Sequence, residues 1–184
     1  MSYLPRMNTN SPGQPMSEGL VAEVFVDITS AALLAGDPVS WIRDERLRVA
    51  SPMAAEVWVF NSTLDHVVLV EHRWRGWVPP GGAAEQSETP RQAARRELAE
   101  EAGLVLDLEP RPAVACRRSF RDGWSETLAM TYVAVTAMST LIPEPGQACR
   151  WWSLDHEWPS RFPDDRTRML EFVGSRRRRQ PLDA

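Results

Sequence analysis

The chain has 184 residues, of which 43% are hydrophobic and 25% charged, and a formal net charge of −4. That length and balance allow one globular domain with a sizeable core, and the negative balance argues against non-specific binding to nucleic acid. No run approaches the ~20 apolar residues of a membrane span. The two cysteines, Cys116 and Cys149, form no CxxC pair and sit in no nucleophile pattern, so they read as ordinary part-buried thiols in a reducing compartment. The cytoplasm is the expected location.

Residues 1–18 are rich in Pro, Ser and Asn and have neither a basic start nor an apolar stretch, so a disordered leader is expected rather than a secretory signal. Residues 19–50 carry apolar clusters (Leu20, Val21, Val24, Phe25, then Ala31 to Leu34). Within them Asp37-Pro38 predicts a helix start, with Asp37 as N-cap and Pro38 at the first helical position. This segment is expected to pack on the main domain, taken as 51–175.

From residue 54 the period changes. AAEVWVF and HVVLVEHR are β-rich runs joined by the turn 61–65, and together they predict a hairpin. A Gly/Pro-rich stretch, Gly76 to Gly82, follows. A helix is predicted over 89–102, strands over 105–108, 112–119, 125–136 and 150–153, and a C-terminal helix from about Asp164 to Val173. Residues 176–184, which begin with four arginines, are expected as a basic flexible tail. Interleaved strands and helices predict an α/β or α+β layered domain.

The segment ETPRQAARRELAEEAGL specifies both of its ends. Thr89-Pro90-Arg91-Gln92 is a capping box with Pro at the first helical position, and Gly103 is the stop. On a wheel of about 100° per residue, Glu97, Glu100 and Glu101 fall on one arc, with Ala93 in its middle. Ala94, Leu98 and Ala102 form a neighbouring apolar stripe that can face a sheet. Three like charges on one face repel one another, and Arg96, Arg95 or Arg91 can offset this. The arc suits a hard cation, which is held by one or two carboxylates plus substrate phosphates, and it would equally suit a solvated acidic face.

The longer string is Gly82, five residues, Glu88, seven residues, then Arg96-Glu97-Leu98-Ala99-Glu100-Glu101-Ala102-Gly103-Leu104. It resembles the signature of Nudix hydrolases, GX5EX7REUXEEXGU with U aliphatic, at every defined position. The approach Trp77 to Gly82 and the extra acidic residue Glu85 fit the same resemblance, which extends loosely over 52–174. It implies a Nudix-type α/β/α sandwich with a mixed central sheet. It also implies a Mg²⁺- or Mn²⁺-dependent hydrolase that cuts a pyrophosphate bond in a nucleoside diphosphate derivative.

Carried over residue by residue, the resemblance makes Glu100 and Glu101 the principal metal ligands and Glu97 a further ligand or the general base. The backbone carbonyl of Gly81 or Gly82 completes the site, and Arg96 pairs with Glu88 to hold helix and loop in register. A carboxylate from outside the box is expected from Glu144, with Glu126 as the alternative; Gln147 occupies one plausible position for it. Candidate substrate contacts are Trp74, Trp77, Trp124 and Arg118, with Arg73, Arg75 and Arg121 nearby, each weighed against simple packing or solvent exposure.

Markers of several subfamilies are missing: there is no SQPWPFPxS-like string, no LLT-type string before the box, and Ser119 stands where ADP-ribose hydrolases often carry proline. A (deoxy)nucleoside triphosphate or related nucleotide is the substrate that remains. The alternatives are ADP-ribose or dinucleoside polyphosphate hydrolysis, a non-catalytic nucleotide-sensing module, and an isomerase of the same fold. A small-molecule nucleotide is the expected partner, with no membrane and no stable nucleic acid, and a homodimer is expected because dimerisation is common in the family.

Overall fold

A computed structural model describes residues 16–50, 53–85, 87–119 and 126–179. Residues 1–15 of the expected leader lie outside these. The chain order is α1 (Glu18–Ser30), β1 (Leu33–Ala35), α2 (Pro38–Arg43), α3 (Glu45–Ala50), β2 (Met53–Asn61), β3 (His66–His72), β4 (Gly76–Val78), β5 (Gly81–Ala83), α4 (Pro90–Ala102), β6 (Val114–Arg118), β7 (Thr127–Thr136), β8 (Cys149–Ser153) and α5 (Pro163–Arg179).

The strands join in one mixed sheet, β1-β6-β7-β2-β3-β4, with β5 paired to β2 and β8 to β3. The pairs β1–β6 and β2–β7 are parallel, and the others are antiparallel. The predicted hairpin forms, but β2 and β3 stay in register only at Phe60–Val67 and then diverge. β4 and β5 fill the resulting fork, β4 on β3 and β5 on β2, and Val57 N–H donates to the Pro80 carbonyl at 2.9 Å. The segment that leads into the carboxylate helix is thereby built into the sheet.

Strand β2 is buried on both faces, as a central strand must be. Its alternation separates two cores. Ala55, Val57 and Val59 join α1 (Leu20, Val24, Ile28), α2 (Trp41, Ile42) and α4 (Ala93, Ala94, Leu98, Ala102) on one side. Trp58 and Phe60 join α5 (Met169, Val173) on the other. Trp151 and Trp152 divide between the same two sides, as adjacent strand residues must. The result is the expected α/β/α sandwich.

Asp37 caps α2, accepting from Ser40 N–H at 3.1 Å. Both cysteines are free. Among the described residues no helix is long and apolar enough to cross a membrane.

Three expectations are revised. Residues 105–108 form no strand: Leu104 and Leu108 are buried and Val105 is 89% exposed, so the alternation records one packed face of an extended segment without a ladder partner. β1, β4 and β5 replace what read as an apolar cluster and a Gly/Pro loop. Arg176 to Arg179 form the last turn of α5 rather than a loose tail. Their charge complements the carbonyl end of the helix, as Asp164 and Asp165 complement its start. Arg176 pairs with Glu109, and Arg177 donates to the carbonyls of Thr63 and Leu64 at 3.0 and 3.2 Å. Residues 180–184 lie outside the described part.

Candidate active site

Helix α4 forms as its caps require. Thr89 accepts from Gln92 N–H at 3.2 Å, and the Gln92 side chain accepts from Thr89 N–H at 2.8 Å. At the other end Gly103 takes φ 68°, a left-handed conformation that suits glycine, and its N–H donates to Ala99. Ala94, Leu98 and Ala102 are fully buried against the sheet, and so is Ala93. That burial fixes the rotation of the helix and turns its carboxylate arc toward the β4–β5 connection.

Arg96 ties this arc to the preceding loop. Its guanidinium donates twice to Glu88, at 2.9 Å from Nε and 2.9 Å from Nη2, and once to the Ala83 carbonyl at 3.1 Å. Its Nη1 lies 2.7 Å from Glu97 and 3.3 Å from Glu100. The paired donors hold the Glu88 carboxyl below its ordinary range. Of the other arginines, Arg95 lies 3.7 Å from Asp107 and Arg91 turns toward α1, so Arg96 carries the compensation. Glu88 also accepts from Glu85 N–H at 3.0 Å.

Glu101 is half-buried in the fork. Its Oε2 accepts from Gly81 N–H at 2.8 Å and its Oε1 from Gln147 Nε2 at 3.2 Å. Burial pushes its pKa up to about 7, against the opposing effect of the Gly81 hydrogen bond. Burial also raises Glu97, opposed by Arg96. The Glu97 carboxylate lies against Gly82 so closely that a Cβ at residue 82 would collide with Oε1, so glycine there lets Glu97 keep this position. Glu100 is more open, its side chain 57% exposed at the rim.

The structure therefore brings together Gly81, Gly82, Glu88, Arg96, Glu97 and Glu101, with Glu100 beside them. Among the described residues no group of three or more His, Cys, Asp or Glu is gathered closely enough to hold a metal ion alone. The donor set nevertheless fits a hard cation: carboxylate oxygens and peptide carbonyls, two of the carboxylates desolvated, with substrate phosphates as the remaining ligands.

The remaining candidates have other partners. Glu144 is exposed on the turn closed by Gln147 N–H donating to its carbonyl, and it is Gln147 that reaches Glu101. Glu126 is exposed and pairs with Arg117. Trp77 is buried, with Trp152 at 5.2 Å and the Arg150 guanidinium 4.1 Å over its ring. Trp74 is 56% exposed, with Arg73 3.7 Å over its ring. Trp124 and Arg121 lie outside the described residues.

Arg118 is half-buried in a polar cluster, 2.9 Å from Asp165 and 3.3 Å from Glu56. Glu56 stands opposite Gly81 in the β2–β5 register and accepts from Thr131 Oγ1 at 2.8 Å. Burial pushes its pKa up, against the pull of Arg118. Arg75, mostly buried, feels the charges of Glu101, Glu56 and Glu97. Its guanidinium meets His72 Nε2 at 3.2 Å, and burial holds that imidazole neutral, its pKa lowered to about 4. Glu56 was missed by sequence reasoning, and Gln147 was named only as standing where a carboxylate was expected. A lone carboxylate within AAEVWVF was the available signal for Glu56.

The sequence matches the NUDIX domain family over residues 50–173, a span that contains every element of this site. The chain belongs to the Nudix family. Among solved structures it resembles a Nudix-family hydrolase from Clostridium perfringens, with 22% identity and TM-score 0.53, covering 66% of this chain and 97% of that one. It also resembles the Nudix domain of Shewanella oneidensis NrtR, solved with ADP ribose, at 22% identity and TM-score 0.55, covering 77% and 97%. The E. coli ORF135 protein is similar at 23% identity and TM-score 0.53, covering 73% and 97%. Comparison with curated proteins gives no match.

Proposed function

We propose that the protein is a divalent-metal-dependent pyrophosphohydrolase that cuts a nucleoside diphosphate derivative, a (deoxy)nucleoside triphosphate above others. The observation that carries this reading is the placement of Glu97 and Glu101, two desolvated carboxylates held against Gly82 and Gly81 with Glu100 at the open rim. Mg²⁺ or Mn²⁺, if held there, would supply neutralisation of phosphate oxygens and a water of lowered pKa. Glu100 and Glu101, with the carbonyl of Gly81 or Gly82, would hold the ion, and Glu97 would be a further ligand or take the proton from the attacking water. Arg96 and Glu88 position these groups by joining the loop to the helix. Gln147 orients Glu101 from the turn before β8, and Glu144 on the same turn is the candidate for a carboxylate from outside the box.

Incubation with a panel of dNTPs, oxidised nucleotides, dinucleoside polyphosphates, nucleotide sugars and ADP-ribose in Mg²⁺ tests the reading. ADP-ribose belongs in the panel because the Shewanella domain was solved with it. The expected result is metal-dependent release of a nucleoside monophosphate from at least one class. Tight nucleotide binding without turnover would instead identify a sensing module.

A further inference from the structure

The NUDIX match begins at residue 50, and α1 precedes it. Yet α1 reaches the first turn of the carboxylate helix through a part-buried polar contact. Asp27 accepts from Tyr132 Oη at 2.7 Å and from Arg91 Nη2 at 3.0 Å. Arg91 lies 4.5 Å over the Tyr132 ring and donates to the carbonyls of Glu109 and Pro110 at 2.8 and 2.7 Å. The Asp27 and Arg91 side chains are only 16% and 22% exposed, and Tyr132 is fully buried. Leu20, Val24 and Ile28 of α1 share one core with Ala93, Ala94, Leu98 and Ala102 of α4.

Arg91 occupies a position that the signature leaves free, at the second residue of α4. Six residues on, about 9 Å along the axis, stands Glu97. Arg91 is thus a lever on the helix, and its three acceptors come from α1 and the segment before β6. We infer that Asp27 is a positioning residue of the active site: with Tyr132 it holds Arg91 and so the axial position of the first turn of α4, and through it the approach of Glu97 and Glu101 to Gly82 and Gly81. The N-terminal extension is then part of the catalytic scaffold rather than a cover on the sheet. This inference rests on the proposed function for its meaning, and its test separates the two.

Full-length Asp27→Asn and Tyr132→Phe are compared with wild type and with Val173→Ala, which weakens the core on the opposite face. One readout is Mn²⁺ affinity without substrate, by electron paramagnetic resonance. The other is hydrogen exchange across 81–83 and 90–102, with 66–72 as reference. Asp27→Asn is expected to weaken Mn²⁺ binding about tenfold. It is also expected to speed exchange in both site segments while 66–72 stays at its wild-type rate. Tyr132→Phe moves both readouts in the same direction by less, and Val173→Ala leaves Mn²⁺ affinity unchanged. The inference is overturned if Asp27→Asn leaves the site segments at their wild-type exchange rate, or if all three segments exchange faster together. If Asp27→Asn does not fold, Tyr132→Phe decides on the same exchange criterion. If wild type binds no Mn²⁺ without substrate, the exchange data alone judge the inference, and the metal-dependent function is judged separately by nucleotide turnover in Mg²⁺.

Discussion

At Glu101 partial burial sets the charged form of one side chain against the stability of the fold. Its pKa is raised to about 7 from an ordinary 4.5, chiefly by burial. For an acid whose folded pKa lies above its unfolded value, the unfolded state binds fewer protons between the two, so stability falls as pH rises from about 4.5 to 7 and stays low above that. Glu101→Gln removes that cost. The metal-free variant should melt higher than wild type at pH 8 by about 2–6 °C, on the order of 1–2 kcal/mol, and should show little gain at pH 4.5, read by calorimetry. A divalent cation competes with the proton, so Mg²⁺ should raise the wild-type Tm more at pH 8 than at pH 5.5. Gly82 makes the complementary case. Gly82→Ala should displace Glu97 and lower kcat by about tenfold or more while circular dichroism stays native, because a Cβ there meets a side-chain carboxylate and no backbone.

At the scale of elements, α4 was fully legible in the sequence because each of its determinants is local: Thr89, Pro90, Gln92 and Gly103 set the ends, and the spacing of Ala94, Leu98 and Ala102 sets the rotation. Thr89→Ala should cost about 1 kcal/mol, seen as a lower denaturation midpoint with unchanged slope. β4 and β5 were not legible. They have three residues each, and they exist because β2 and β3 splay apart, a consequence of tertiary pairing that no period in GWVPPGGA reports. The same limit governed the loop before β8. Glu144 and Gln147 are three residues apart, and only the turn between them decides that Gln147 faces Glu101. The run 105–108 failed differently, since alternation reports a buried face and cannot report a missing neighbour.

For the whole molecule, the two cores have different duties. The core shared by α1, α2 and α4 underlies the carboxylates, while that of α5 with Trp58, Phe60 and Phe172 lies across the sheet. Met169→Ala in the second core should destabilise the protein by about 2–4 kcal/mol and leave kcat near wild type at temperatures where the fold persists, as read from thermal melts and steady-state rates. The sandwich and its mixed sheet could be anticipated from the signature string. The part played by residues 18–35 could not, because Asp27 meets Arg91 across 64 residues and nothing in either segment announces the other.

The central claim is that the carboxylate face of α4 against Gly81 and Gly82 is a metal-dependent hydrolytic centre. Its most direct test is the Mg²⁺-dependent turnover of Glu97→Gln and Glu101→Gln on whichever nucleotide wild type cleaves. Both variants should lose about 10²-fold or more in kcat while keeping the native fold. Wild-type kcat in both would contradict the account.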